Sequence, residues 1–150
     1  MECKHCQILK NRENFIFETK HWIVTLNSEQ SYLGRSRAIL KRHCGGLSDL
    51  KEEELLDFLK VIKKFESTLK KAFNATMFNW TSLMNDAYLN KPANPHVHWH
   101  PRPRYNHKVK LVGKTFVDPE FSTHYNRKRK QEVSKEIQKV IIDKIKENLE

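Results

Sequence analysis

The sequence predicts an α+β fold: an antiparallel sheet of about five strands, one long central helix and a C-terminal helix. Three observations carry this. Short apolar stretches with strand character stand on both sides of a single long segment whose apolar residues recur at spacings of three and four. Strands and helices do not alternate as strand–helix–strand units, which argues against a parallel sheet. A second amphipathic stretch closes the chain.

Taken in order, Phe15-Ile16-Phe17 and His21 to Leu26 read as two strands joined near Thr19-Lys20. Asn27 to Gly34 is polar and turn-like, and Arg37 to Lys41 is a third strand. His43-Cys44-Gly45-Gly46 breaks the pattern. The long helix is predicted over 49–73, with Ser48 as its N-cap and Asp49, Glu52, Glu53 and Glu54 placing negative charge in its first turns. Its predicted apolar face is Leu55, Leu59, Ile62, Phe65, Leu69 and Phe73. Met77 to Met84 is a strand, 85–95 a loop, and Val97 to His100 a strand. Residues 102–130 are basic and irregular. A helix over 127–148 carries Val133, Ile137, Val140, Ile141, Ile145 and Leu149 on one face.

The length of 150 residues suits one domain. Fifteen aromatic residues (8 Phe, 4 Tyr, 3 Trp) argue against disorder. No apolar run approaches the roughly 20 residues a membrane span needs. The opening Met1-Glu2-Cys3-Lys4-His5-Cys6 lacks the apolar core of a secretory signal, and three cysteines do not make a disulfide scaffold. A reducing, cytoplasmic location with no membrane partner is therefore expected. Twenty-eight Lys and Arg against 18 Asp and Glu leave +10, and nine of the bases stand in 102–130 against only two acids. Such a surplus points to an anionic partner without naming one.

Chemistry concentrates in two places. Cys3-x-x-Cys6 has the spacing of half a zinc site and also suits a redox pair. In His96-Val97-His98-Trp99-His100 three histidines alternate with apolar residues. On a strand they share one face, about 7 Å apart. A three-histidine metal site and a nucleophilic histidine with an electrostatic neighbour both fit this pattern.

With Arg104-Tyr105 following the histidines, Asn85 eleven residues before His96, and Ala38-Ile39-Leu40-Lys41-Arg42-His43 upstream, the sequence resembles the histidine triad (HIT) family of nucleotide hydrolases and transferases over about residues 1–105. Residues 106–150 then form a basic loop and helix packed on the same domain. The resemblance implies a HIT-like fold, commonly homodimeric through the long helix and an adjacent strand. It implies His98 as the nucleophile toward the α-phosphate of a nucleotide, forming a nucleotidyl-histidine, and His100 as a contact to the phosphoryl oxygens. Asn27 takes the place of the ribose-binding Asp or Asn. Zinc-containing members use a Cys pair, the His after the basic pair and the first triad His, which fall on Cys3, Cys6, His43 and His96. His5, inside the pair, is a competing donor. A structural zinc is thus the implied cofactor. An adenine nucleotide, of the diadenosine polyphosphate or nucleoside phosphoramidate class, is the implied substrate. Phe15, Phe17 and Trp22 are candidates to pack against the base and equally good core residues.

Two departures bear on the leaving group. Arg35 stands where many members have a fourth His; it can hold a phosphate but cannot give up a proton. Lys91-Pro92-Ala93-Asn94 replaces the family's Gly-Gln-Ser or Gly-Gln-Thr, leaving Asn94 as the substitute hydrogen-bonding residue. The competing reading is a zinc-stabilised nucleic-acid-binding module, or an enzyme that removes adenylate from nucleic-acid ends. In it, Tyr105, Phe116, Phe121 and Tyr125 would stack on bases between the basic residues of 102–130.

Overall fold

A computed structural model describes residues 2–150, with Met1 outside that range. A five-stranded antiparallel sheet in the order β1-β2-β3-β5-β4 organises the molecule. Its strands are β1 (Phe15–Glu18), β2 (Trp22–Leu26), β3 (Ser36–Leu40), β4 (Met77–Thr81) and β5 (His98–Arg104). Helix α2 (Glu52–Phe73) packs across one face, and α3 (Lys135–Lys146) packs beside it against β1. A polar helix, α1 (Lys4–Asn11), and a hairpin, β6 (Val109–Leu111) with β7 (Lys114–Phe116), complete the set of regular elements.

The α2 side of the sheet is the aromatic core. Trp22 lies 4.8 Å from Phe58, which stacks on Trp99 at 5.0 Å, and Phe65 meets Trp80 at 5.5 Å. Trp22 is fully buried and its indole N–H donates to the Glu54 carbonyl at 2.8 Å. Trp22 and Phe17 thus sit under α2, where Lys64 lies over the Phe17 ring. Neither they nor Phe15 line the cavity described below, so the base-packing role expected of the three is not met.

Helix α2 starts later than expected. Ser48 belongs to a short 3-10 turn, Leu47–Asp49, and Lys51 takes the N-cap, its N–H accepted by the Glu54 carboxylate at 2.9 Å. Its buried face is Phe58, Val61, Phe65, Leu69 and Phe73, whereas Leu55 and Leu59 point outward with Leu56. The helix carries two apolar stripes, and only one faces the core.

Glu54 also receives the Arg42 guanidinium, at 2.7 and 2.9 Å, which ties the end of β3 to α2. The Arg42 hydrogen bonds hold the buried Glu54 carboxyl down, from 4.5 to about 2. A carboxyl depressed on folding adds stability above its unfolded pKa and loses it as pH falls through the folded one. The stability difference between the native chain and Glu54→Gln is therefore expected to be full at pH 7 and to shrink between pH 4.5 and about 2. Urea midpoints of both chains across that range check this; a constant difference contradicts it.

Gly34 fixes the loop between β2 and β3. Its φ is +86°, and a Cβ there would come within 2.6 Å of Leu69 Cδ1 and 3.2 Å of Pro103. Only glycine fits both the backbone and the space. The chain beyond residue 105 clamps this loop from outside. Gln131 N–H donates to Glu29 at 2.9 Å, Arg129 to the Ser31 carbonyl at 3.0 Å, and Asn126 N–H to the Tyr32 hydroxyl at 2.6 Å.

Within the basic segment two arginines are buried, whereas Lys108, Lys110, Arg127, Lys128 and Lys130 are exposed. Arg104 is 1% exposed and forms a forked pair with Asp118, at 2.7 and 3.1 Å. Arg129 pairs with Glu120, and Arg102 lies 4.0 Å over the Tyr125 ring. Tyr105, Phe116 and Tyr125 are buried, so they are not presented for stacking on bases. The helix expected over 127–148 begins only at Lys135, capped by the Ser134 hydroxyl. No helix among the described residues is long and apolar enough to cross a membrane.

Candidate active site and metal centre

The sheet face opposite α2 carries the histidines, and strand register explains how. Ile39 pairs with His98, Thr25 with Arg37, Thr81 with His100 and Asn79 with Arg102. Because Ala38 pairs with Trp99, the next residues, Arg37 and His100, lie opposite each other. One row thus reads Thr25, Arg37, His100, Thr81 across four strands. The next reads Asn27, Arg35, Arg102, Asn79, with the Asn27 N–H donating to the Arg35 carbonyl at 3.0 Å. Above this face lies a cavity of about 310 Å³, lined among others by His98, His100, Asn27, Arg35, Arg37 and Asn94. All five residues expected from the sequence to act on or bind substrate therefore line one cavity, and Arg37 joins them.

The triad divides by role. His96 turns away from its partners: its Nδ1 lies 3.4 Å from Cys3 Sγ, 3.5 Å from Cys6 Sγ and 3.1 Å from His43 Nδ1, while Cys6 Sγ is 3.4 Å from His43 Nδ1. All four donor atoms lie within 4.8 Å of one another. Zinc bonds of about 2.3 Å to sulfur and 2.0–2.1 Å to nitrogen, arranged tetrahedrally, put ligands about 3.3–3.8 Å apart. The four side chains fit that geometry. The other ring nitrogen of His96, Nε2, faces the Leu40 carbonyl at 2.7 Å. Donating there leaves Nδ1 with its lone pair toward the cluster, the usual orientation of a metal-ligating histidine. A three-histidine site is not formed, since His98 and His100 lie outside the cluster. His5 also stays outside and stacks on His98 with ring centroids 3.9 Å apart.

His98 is held for a different purpose. Its Nδ1 faces the His96 carbonyl at 2.7 Å. With the proton donated there, Nε2 keeps its lone pair. His100 meets His98 edge-on at 4.6 Å, and its buried Nδ1 has no hydrogen-bond partner.

A family model described as HIT domain matches residues 9–107. The chain belongs to the HIT domain family. No curated protein matches it. Among solved structures, it is similar to a hypothetical histidine triad nucleotide-binding protein from Sulfolobus tokodaii strain7, with 20% identity, TM-score 0.74, and 97% of this chain and 91% of that one covered. A Zn-bound histidine triad family protein from Mycobacterium smegmatis matches at 18% identity and TM-score 0.62, covering 98% and 95%. A uridylyltransferase matches at 18% identity and TM-score 0.65, covering 98% of this chain and 45% of that one. These likenesses show a shared fold.

Within this HIT domain the electrostatics separate neutral bases from fixed cations. Burial lowers the pKa of His98, with Arg37 nearby adding to the effect. Burial, then His98 and the arginines, take His100 down to about 3. Both rings are neutral at pH 7. Arg35 is charged and paired with Glu29. Asn27 is both an Asx turn, its Oδ1 accepting from the Glu29 N–H at 3.0 Å, and a cavity residue. Arg37 is not among the site residues expected from the sequence, although strict alternation on β3 puts 35, 37 and 39 on one face.

Proposed function

We propose that this HIT protein is a nucleotidyl hydrolase or transferase acting on the α-phosphate of a nucleotide, an adenine nucleotide in the first instance. The observation that carries the reading is the pairing of His98 Nδ1 with the His96 carbonyl, which frees Nε2 inside a cavity edged by two arginines. Nε2 attacks the α-phosphorus, a P–N bond forms, and the bond to the leaving group breaks with its electron pair on that group. Water then attacks the same phosphorus, releases the nucleoside monophosphate, returns the electron pair to Nε2 and gives its proton to solvent. A neutral imidazole is the competent form for the first step. His100 contacts the phosphoryl oxygens, and Arg35 supplies the charge that stabilises them. Asn27 holds the ribose hydroxyls, and Asn94 supplies a hydrogen bond on the leaving side.

Zinc at Cys3, Cys6, His43 and His96 would be structural: four protein donors leave no open position. It would tie α1, the end of β3 and the start of β5 together. That the similarly folded Mycobacterium smegmatis protein is Zn-bound supports this. We also infer a homodimer, because Leu55, Leu56 and Leu59 expose an apolar stripe on α2 and β4 is an edge strand. Sedimentation as a monomer at micromolar concentration would exclude it.

Hydrolysis of an adenine dinucleotide in water labelled with heavy oxygen tests the reaction. Attack at the α-phosphorus predicts the label in the nucleoside monophosphate. Label in the other product would place the attack elsewhere.

A further inference from the structure

The triad face holds more positive charge than one phosphate needs. Arg35, Arg37 and Arg102 stand on adjacent rows of β3 and β5, with Arg35 opposite Arg102. Glu29 pairs with Arg35, whereas the Arg37 guanidinium has no close ion pair among the described residues and feels Glu13 and Glu132 only at longer range. Arg102 is only 6% exposed. Among the described residues, seven buried side-chain atoms lack a hydrogen-bond partner, and five of them lie on this one face: Thr25 Oγ1, Arg35 Nε, Thr81 Oγ1, His100 Nδ1 and Arg102 Nη1. All five belong to groups that can donate to an anion. Buried polar atoms without partners are costly; those of Arg35 and His100 belong to residues that line the cavity, where a ligand can supply acceptors, and Thr25, Thr81 and Arg102 continue the same face beyond its lining. A phosphate bound at His98 would lie at one end of these rows. Arg102 is four residues along the same strand, about 13 Å away, which leaves room for more than one phosphate.

Resting on the nucleotidyl-transfer reading, we propose that Arg35, Arg37 and Arg102 form a second anion subsite, and that the substrate's leaving group is itself a phosphate. The substrate is then a phosphoanhydride rather than a phosphoramidate. The chemistry of departure agrees. An amine must be protonated to leave, and Arg35 and Arg37, the arginines that line the cavity, cannot give a proton. A phosphate needs none: the bond from the α-phosphorus to the bridging oxygen breaks, the electron pair stays on that oxygen, and the guanidiniums bind the resulting anion bidentately.

The test compares kcat/KM for diadenosine tetraphosphate, a 5′-adenylated oligonucleotide and adenosine 5′-phosphoramidate, together with calorimetric titration of inorganic tripolyphosphate. The subsite predicts that one or both anhydrides exceed the phosphoramidate by about 100-fold, and the faster of the two tells whether the leaving phosphate comes from a dinucleotide or a nucleic-acid end. In Arg37→Gln, a half-buried position whose change leaves the fold intact by melting, that preference and the tripolyphosphate affinity should each fall about tenfold or more. Phosphoramidate turnover equal to that of the anhydrides, or absence of tripolyphosphate binding to the unmodified chain, overturns the subsite. If none of the three nucleotides is turned over, the nucleotidyl-transfer reading fails, and the titration still decides the subsite alone.

Discussion

His98→Ala is expected to lower nucleotide turnover by on the order of 10⁴-fold or more, because it removes the atom that bonds to phosphorus. Neither of the other two triad histidines takes its place. His100 presents an edge to His98 rather than a parallel lone pair, and His96 turns its Nδ1 to the cysteines. His98→Asn is the sharper variant. Its amide N–H₂ can still donate to the His96 carbonyl, so the strand end and the cavity wall persist while the nucleophile is gone. Turnover should be lost equally in both, and substrate binding, read by equilibrium titration, should change less than fivefold in His98→Asn. Activity surviving in either variant above about 1% would mean that the face serves another chemistry.

Loss of one metal ligand should produce the largest effect on stability. Cys6→Ser is expected to reduce bound zinc from about one per chain to a small fraction, since a neutral hydroxyl is a poor zinc ligand. Burial, with the neighbouring Cys3 thiol, pushes the metal-free Cys6 thiol up to about 11. Metal uptake must therefore release protons, and zinc affinity should fall as pH is lowered. Helix α1 has a single residue in the core, Ile8, so the cluster is its main anchor. A loss of about 3 kcal/mol corresponds to a melting point lower by about 6–12 °C for a chain of this size. Chelation of the native chain should reproduce the shift, and Cys6→Ser should show no further response to chelator. A chain that melts at the same temperature with and without metal would rule out the structural role.

Where periodicity is strong, the sequence and the fold agree. The alternating strands and the long helix stand out because each buries one face and shows it every second or every third to fourth residue. Helix α1 carried no such pattern: it is polar apart from Ile8 and Leu9, and what orders it is contact with residues 43 and 96, far away in sequence. The β6–β7 hairpin is hidden by lysines and by its turn, Val112-Gly113, where a β-branched residue stands at positive φ in place of the usual Asn or Asp. The arginines of 102–130 look solvent-exposed in sequence, and no local signal shows that Asp118 and Glu120 bury two of them. The cluster of four side chains that could hold a metal and the shared face of the histidines were legible through spacing and resemblance. Arg37 was not, because one cation in a basic chain attracts no notice until register places it beside His100.

The most direct measurement is the mass of the intact protein caught during turnover. Mixing it with an adenine dinucleotide and quenching in alkaline denaturant within milliseconds preserves a P–N bond. The account predicts a species heavier by one adenylyl group, mapped to His98 and absent from His98→Asn. Turnover with no such adduct at any time, or an adduct on another residue, would contradict it.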